Sequence, residues 1–242
     1  MPIHPHGGGE LVNLRVSDGE RAELRERAKS LVKVQLDARE YTDLELLAIG
    51  GFSPLIGFMT QDQCKGVVEE MHLPGGIPWT VPVVLTTNRE TASKIREGDE
   101  VALVAPSGKI CAVQRIESRY EVDRGDEARK VYGTDELAHP GVAALHEAEE
   151  VRIGGAVRVI EVEPGEFPQY RLEPGQTRAE FQRLTQDLLD RNAIARVLAD
   201  EAQRRGDIAI VHRKHVRRVT CDDAARVDSR VFGLRRASAH QA

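Results

Sequence analysis

Aromatic side chains are scarce in this sequence: one Trp, four Tyr and five Phe in 242 residues. Stacked rings cannot build its core, so aliphatic side chains must fill it. Val, Leu, Ile and Ala dominate the apolar runs, as expected of a small β-rich body with some helices. No segment approaches the ~18 uninterrupted apolar residues of a membrane span. The opening stretch, Met1-Pro2-Ile3-His4-Pro5-His6-Gly7-Gly8-Gly9, carries no apolar run of signal-peptide type. A cytoplasmic location without a membrane partner is the expectation. Cysteine is limited to Cys64, Cys111 and Cys221. The number is odd and no CxxC pair occurs, so neither a zinc knuckle nor a thioredoxin-type site is indicated. Three reduced thiols, some buried as small hydrophobes, are expected. A basic excess is also missing. The formal net charge of −5 argues against a general nucleic-acid binder, while leaving room for a local basic patch.

What is present suffices for one large domain or two small ones. Hydrophobic residues make up 40% and charged residues 30%. Ser17 with Glu20 three residues on forms a capping-box pattern, and predicts a helix carrying Leu24, Ala28 and Leu31 on one face. Val32 to Leu36 alternates as a strand. Ala38 to Ile49 reads as a helix stopped by Gly50-Gly51. Phe52 to Phe58 reads as a compact turn with two aromatics. Thr60 can cap a helix running to Met71, with Val67 and Val68 facing inward. Strands are predicted over Trp79–Leu85, Glu100–Val104 and Ile110–Ile116, the last two joined as a hairpin at Pro106-Ser107-Gly108. A charged helix over Asp123–Tyr132 and a final strand over Val157–Val162 complete the pattern. Short strands with interspersed helices suggest a compact α+β, barrel-like domain. From Thr177 to Arg205 the pattern turns helical. Asp207 to Val211 could form one more strand, and the Arg-rich tail beyond is hard to place in a packed core.

A family resemblance rests on Asp43-Leu44-Glu45-Leu46-Leu47-Ala48-Ile49-Gly50-Gly51-Phe52-Ser53-Pro54-Leu55-Ile56-Gly57-Phe58-Met59. This segment resembles the "DLELL…GGFSPL.GFM" block of sulfate adenylyltransferases (ATP sulfurylases). Further blocks agree in order: Pro2 to Gly8, Trp79 to Leu85, Val131 to Asp135 with His139 to Val142, Gly154-Gly155, and the linker Pro168 to Phe181. The resemblance runs from about residue 2 to about residue 182. It implies a PUA-like β-barrel with peripheral helices over residues 1–170. It also implies that residues 171–242, read as a linker, an amphipathic helix and a partly disordered basic tail, stand where the family has a nucleotidyltransferase domain. That family makes adenosine 5′-phosphosulfate and pyrophosphate from ATP and sulfate. Its "QxRNPxHxxH" and "GRDxAG" motifs hold the phosphates, and neither occurs in this sequence. No catalytic, nucleotide-binding or metal residue is therefore assigned, and no cofactor is expected. Autonomous activity is not expected.

Several local features are weighed against this. His212-Arg213-Lys214-His215 has HxxH spacing after a possible strand, but lacks the preceding Gln, Arg, Asn and Pro of the family motif. Gly50 to Pro54 follows a helix rather than a strand, so it reads as a helix stop and a tight corner rather than a phosphate cradle. His139-Pro140-Gly141 reads as the turn that starts a helix. His4 and His6 on a terminus make a weak metal site at best. The basic tail from Arg204 to Arg236 has only Phe232 for base stacking and reads as a solvated segment. Three descriptions follow: an enzyme copy shortened or shifted in frame shortly after Phe181; a separate PUA-like binding or regulatory module that pairs with a catalytic chain or with itself; and an RNA-binding PUA protein, against which the net charge of −5 and the scarcity of aromatics weigh.

Overall fold

A computed structural model describes residues 4–165, 167–204, 208–212 and 215–219, with side chains as far as residue 190. The expectations attached to Cys221, Phe232 and the rest of residues 220–242 lie outside the described residues. The chain divides into two units, Met1–Arg178 and Ala179–Ala242.

Local chemistry sets the boundaries of the first elements. Helix α1 (Asp18–Ala28) starts where the Glu20 carboxylate accepts the Ser17 N–H at 3.3 Å and its hydroxyl at 2.6 Å. Strand β1 (Val32–Gln35) leads into helix α2 (Ala38–Ala48). There Asp37 and Glu40 each accept the other's backbone N–H, at 2.7 and 3.1 Å. Helix α2 ends in paired carbonyl captures. The Gly50 N–H bonds Leu47 O at 3.2 Å, and the Gly51 N–H bonds Leu46 O at 2.7 Å. Gly50 has φ +78°, and a Cβ there would lie 2.2 Å from Val12 O. After strand β2 (Gly57–Phe58), Thr60 caps helix α3 (Gln61–Glu70), which buries Cys64 and Val67. Strands β3 (His72–Leu73) and β4 (Ile77–Pro78) form a two-residue ladder.

The strand expected over Trp79–Leu85 is not formed. These residues run as extended coil to strand β5 (Thr86–Thr87). Pro82 has no N–H to give a ladder. The run is held instead by single bonds: Met59 N–H to Val83 O and Ile153 N–H to Leu85 O. Val83 and Leu85 are buried, so the apolar signal was a burial signal rather than a pairing one.

The short helix α4 (Arg89–Ala92) precedes the predicted hairpin of β6 (Glu100–Val104) and β7 (Ile110–Arg115). Strand β8 (Ser118–Tyr120) follows, and helices α5 (Arg124–Tyr132) and α6 (Pro140–Glu147) pack together around Ala128, Val142 and Leu145. The last strand of this unit, β9 (Val151–Val159), corrects the reading of Val157–Val162. It begins six residues earlier, and Gly154-Gly155 lies inside it rather than in a turn before it. Those glycines allow close strand approach. A Cβ on Gly154 would fall 2.2 Å from Met59 O, and one on Gly155 2.1 Å from Arg115 O. Strand β9 consequently pairs with four strands: β5, β8, β2 and β7 in turn along its length.

The resulting seven-stranded mixed sheet has the order β1-β6-β7-β9-β2, with β5 and β8 also on β9. Only β1 and β6 run parallel among its strand pairs. The sheet curls around an aliphatic core that includes Leu44, Leu47, Leu85, Leu103 and Ile153, all inaccessible to solvent. Each such side chain contributes on the order of 1.5–3 kcal/mol by leaving water. A smaller cluster of Leu24, Ala28, Ala102, Val113 and Ile160 seats α1 on the other face. A 3₁₀ turn (Pro168–Tyr170) leads into helix α7 (Pro174–Arg204), matching the helical pattern read from Thr177 onward. In the second unit, β10 (Ile208–His212) meets the expected strand, and β11 (His215–Val219) pairs with it as an antiparallel hairpin that the sequence reading did not include.

Candidate functional site

The Gly50–Phe58 corner spends its polar groups internally. Besides the two glycine N–H groups, Ser53 N–H bonds Gly50 O at 3.1 Å and Leu55 N–H bonds Phe52 O at 2.8 Å. The buried Ser53 hydroxyl accepts the Val12 N–H at 3.0 Å and donates to Gly50 O at 2.8 Å. A phosphate cradle needs N–H groups aimed at the ligand. Here they staple the N-terminal lead-in to the end of α2. The Phe52 ring meets Trp79 edge-on, with centroids 5.9 Å apart.

The histidines singled out in the sequence serve separate local contacts. His139 caps α6, its Nδ1 accepting the Gly141 N–H at 3.2 Å, and its ring lies 5.0 Å from Tyr132. His6 Nε2 lies 2.7 Å from Pro78 O beside Trp79, whereas His4 Nδ1 is 3.5 Å from Gly9 O. Among the described residues, no three His, Cys, Asp or Glu side chains gather as a metal site. His212 and His215 are register partners that close the β10–β11 hairpin. The strand expected before the HxxH is present, but its second His begins another strand.

Sequence reasoning missed the most buried polar constellation. Arg152 on β9 donates to both oxygens of Glu127 on α5, at 2.7 and 3.0 Å, and both residues are buried. Arg152 Nη1 also lies 3.3 Å from Cys64 Sγ. Burial works to lower the Arg152 pKa, but Glu127 outweighs it and the guanidinium is held charged. The Tyr120 hydroxyl donates to Met59 O at 3.0 Å nearby. Burial raises the pKa of both Tyr120 and Cys64, so neither is poised as an anionic nucleophile. Cys111 is likewise buried, and its thiol is pushed up to about 12. The signal in the sequence was Arg152 between Val151 and Ile153, a charge inside an apolar strand. Its partner could not be named without the fold.

A second missed feature is a groove of about 550 Å³ where the chain leaves the sheet, lined by Leu46, Ile49, Val162, Tyr170 and Leu172 among others. Its charges come in pairs. Arg15 grips Glu173 through two bonds, at 2.7 and 3.0 Å, and Arg171 lies 3.5 Å from Glu45. Both cations in its lining thus already face carboxylates. The Arg15–Glu173 pair in this groove ties the exit segment to the N-terminal lead-in.

A curled mixed sheet with helices on its rim defines a small barrel-type α+β domain. The chain belongs to the PUA-like domain family, whose model matches residues 3–162. It is similar to the sulfate adenylyltransferase of Symbiobacterium thermophilum, with 48% identity over 181 residues, covering 75% of this chain and 46% of that protein. The sulfate adenylyltransferase of Trichodesmium erythraeum is 42% identical over 183 residues, with the same two shares. A probable bifunctional SAT/APS kinase of Sorangium cellulosum is 43% identical over 180 residues, covering 74% of this chain and 31% of that protein. Among solved structures, the hexameric APS kinase from Thiobacillus denitrificans superposes with a TM-score of 0.59 at 28% identity, covering 76% of this chain and 32% of that one. The chain thus spans less than half the length of the curated relatives it matches.

Proposed function

We propose that this chain supplies the PUA-like part of a sulfate adenylyltransferase and does not by itself make adenosine 5′-phosphosulfate and pyrophosphate from ATP and sulfate. The observation that carries this reading is a pairing of likeness and lack. The relatives match over about three quarters of the chain, yet its 242 residues contain neither Arg-Asn-Pro nor Gly-Arg-Asp. Attack of sulfate on the α-phosphorus builds negative charge on phosphate oxygens, and fixed cations must meet it. In the groove at the exit of the first unit, Arg15 and Arg171 are already paired with carboxylates. In this reading residues 1–170 are the PUA-like domain, and residues 171–242 stand where the nucleotidyltransferase domain would follow. The protein acts in the cytoplasm, with a separate catalytic chain or a second copy as partner. The hexameric state of the solved APS kinase supports self-assembly.

The test is direct. The purified chain, incubated with ATP, sulfate and Mg²⁺, is expected to release no pyrophosphate and form no adenosine phosphosulfate. Formation of either product above a heat-inactivated control overturns the reading.

A second reading, a stand-alone binding module, has one observation in its favour. Phe181, Leu184 and Leu188 form an exposed stripe at helical spacing on α7. Its mark would be a stable complex with a second protein, formed without adenylyl transfer in either partner.

A further inference from the structure

The first unit is strongly acidic. The whole chain holds 34 Lys and Arg against 39 Asp and Glu, and residues 179–242 hold 13 of the former and nine of the latter, which leaves residues 1–178 with 21 against 30. Two copies of so acidic a body repel each other over much of their surface. The groove at the exit segment is different. Arg15 pairs with Glu173 at 2.7 Å, Arg171 lies 3.5 Å from Glu45, and Lys109 holds Glu163 at 2.7 Å. The charges around the groove therefore cancel, and a second copy meets no net repulsion there.

The same face carries a hollow and the side chains to fill one. Leu46 and Ile49 at the end of α2, with Val162, are half-buried and line the groove of about 550 Å³. Tyr170 and Leu172 belong to the same lining, yet are 79% and 62% exposed. Phe167, next to the Pro168 of that lining, is 66% exposed. Neighbouring apolar side chains left in water to this extent mark an interaction site. A face with both projections and a hollow is self-complementary. A two-fold axis sets the projections of one copy into the hollow of the other, and the reverse contact follows by symmetry.

The area is of the right order. An aromatic side chain covers about 150–250 Å², so Phe167 and Tyr170 at their exposures offer roughly 200–350 Å² per copy. Doubled by symmetry this gives roughly 400–700 Å² toward the ~1,200 Å² of a small stable interface, before Leu172 and the groove walls are added. We propose that the exit groove is a homodimer surface, occupied by the Tyr170 and Leu172 side chains of a second copy. This rests on the reading above that a second copy serves as partner, and it names the face that copy uses.

The experiment is sedimentation velocity of the full chain from about 1 to 100 µM, a range suited to an interface of this size. A monomer–dimer equilibrium is expected, little changed between about 50 and 200 mM salt because the groove's charges are already paired. Tyr170→Ala/Leu172→Ala is expected to weaken it roughly tenfold or more. Tyr170→Asp puts a like charge on both copies and is expected to leave monomer alone. Leu137→Ala, at another apolar position of the first unit with 65% exposure, is expected to change nothing. These side chains are exposed, so the substitutions spare the core, and circular dichroism checks that each variant folds. In a mixture with isotopically labelled parent chain, Tyr170→benzoylphenylalanine is expected to photocrosslink to α2 of the labelled copy. Monomer throughout the range overturns the proposal. So does a dimer that both Tyr170 variants leave unchanged, as when Leu184 of α7 makes the contact, or a crosslink confined to one copy. Adenosine phosphosulfate made by the chain overturns the proposed function instead, and leaves this dimer and its dependence on Tyr170 standing.

Discussion

Arg152 and Glu127 meet through two parallel hydrogen bonds, at 2.7 and 3.0 Å, across the interface between β9 and α5. Their side chains are 4% and 7% exposed, so neither charge has water to fall back on. The pair joins the helical rim to the sheet, and Cys64 of α3 closes over it.

Removing one partner therefore strands the other. Glu127→Ala is expected to destabilise the first unit by about 3–5 kcal/mol, because it leaves a buried guanidinium unpaired. Replacing both members with apolar residues, as in Glu127→Leu/Arg152→Met, is expected to cost much less. Urea unfolding of the single and double variants checks this. A double variant no more stable than Glu127→Ala would mean that lost packing, not stranded charge, sets the cost.

The two glycines inside β9 define a second expectation. Gly155 has φ +145° and would place a Cβ 2.1 Å from Arg115 O. Gly154 would place one 2.2 Å from Met59 O. Both obstacles are backbone and cannot rotate away. Gly154→Ala and Gly155→Ala are each expected to cost more than about 4 kcal/mol, beyond the range of most single substitutions, and to reduce the yield of folded protein. By contrast Gly98→Ala, which meets open space at φ +91°, should show only the local backbone strain of roughly 1–3 kcal/mol. Thermal unfolding ranks the three. Equal melting temperatures would refute the close approach.

Ser53 offers a milder test of the corner that holds the lead-in. Its hydroxyl serves Val12 N–H and Gly50 O together. Ser53→Ala leaves both without that partner and is expected to cost about 1–3 kcal/mol. Amide hydrogen exchange at Val12 should quicken in the variant. An unchanged exchange rate there would show that another group protects it.

Asp43 supplies a pH dependence. Burial pushes its carboxyl up from 3.8 to about 6, with Asp37 adding and the nearby Arg39 opposing. The folded state thus binds this proton more tightly than the unfolded chain does. The stability it contributes is fully present below the unfolded pKa and is lost as pH rises through the folded one. Asp43→Asn is expected to gain stability relative to the parent between about pH 4 and pH 6, then to keep a constant margin. Denaturant unfolding of both proteins across that range measures the difference. A margin independent of pH would show that Asp43 titrates normally.

Much of the architecture was legible in local pattern. Ser17 and Thr60 mark two helix starts, and Gly50-Gly51 marks a stop, because caps satisfy backbone groups within a few residues. The β6–β7 hairpin was legible for the same reason, since its turn at Pro106-Ser107-Gly108 is contiguous. Strand β9 was read short at its N-terminal end because Gly154-Gly155 looks like a turn. Only the approach of Met59 and Arg115 from distant elements requires those residues to lack a side chain. The run at Trp79–Leu85 was apolar because Val83 and Leu85 are buried, and a burial signal does not say whether the backbone pairs.

The sequence by itself determined the family, the helix ends, the aliphatic character of the core and the lack of Arg-Asn-Pro and Gly-Arg-Asp. Each of these is written in neighbouring residues. Tertiary structure alone decided which strands share β9, that Arg152 has Glu127 as its counterion, and that Arg15 and Arg171 face carboxylates. Those relations join positions 25 to 158 residues apart. They exist only once burial of the aliphatic core has brought distant segments together, because no local propensity selects a partner so far along the chain.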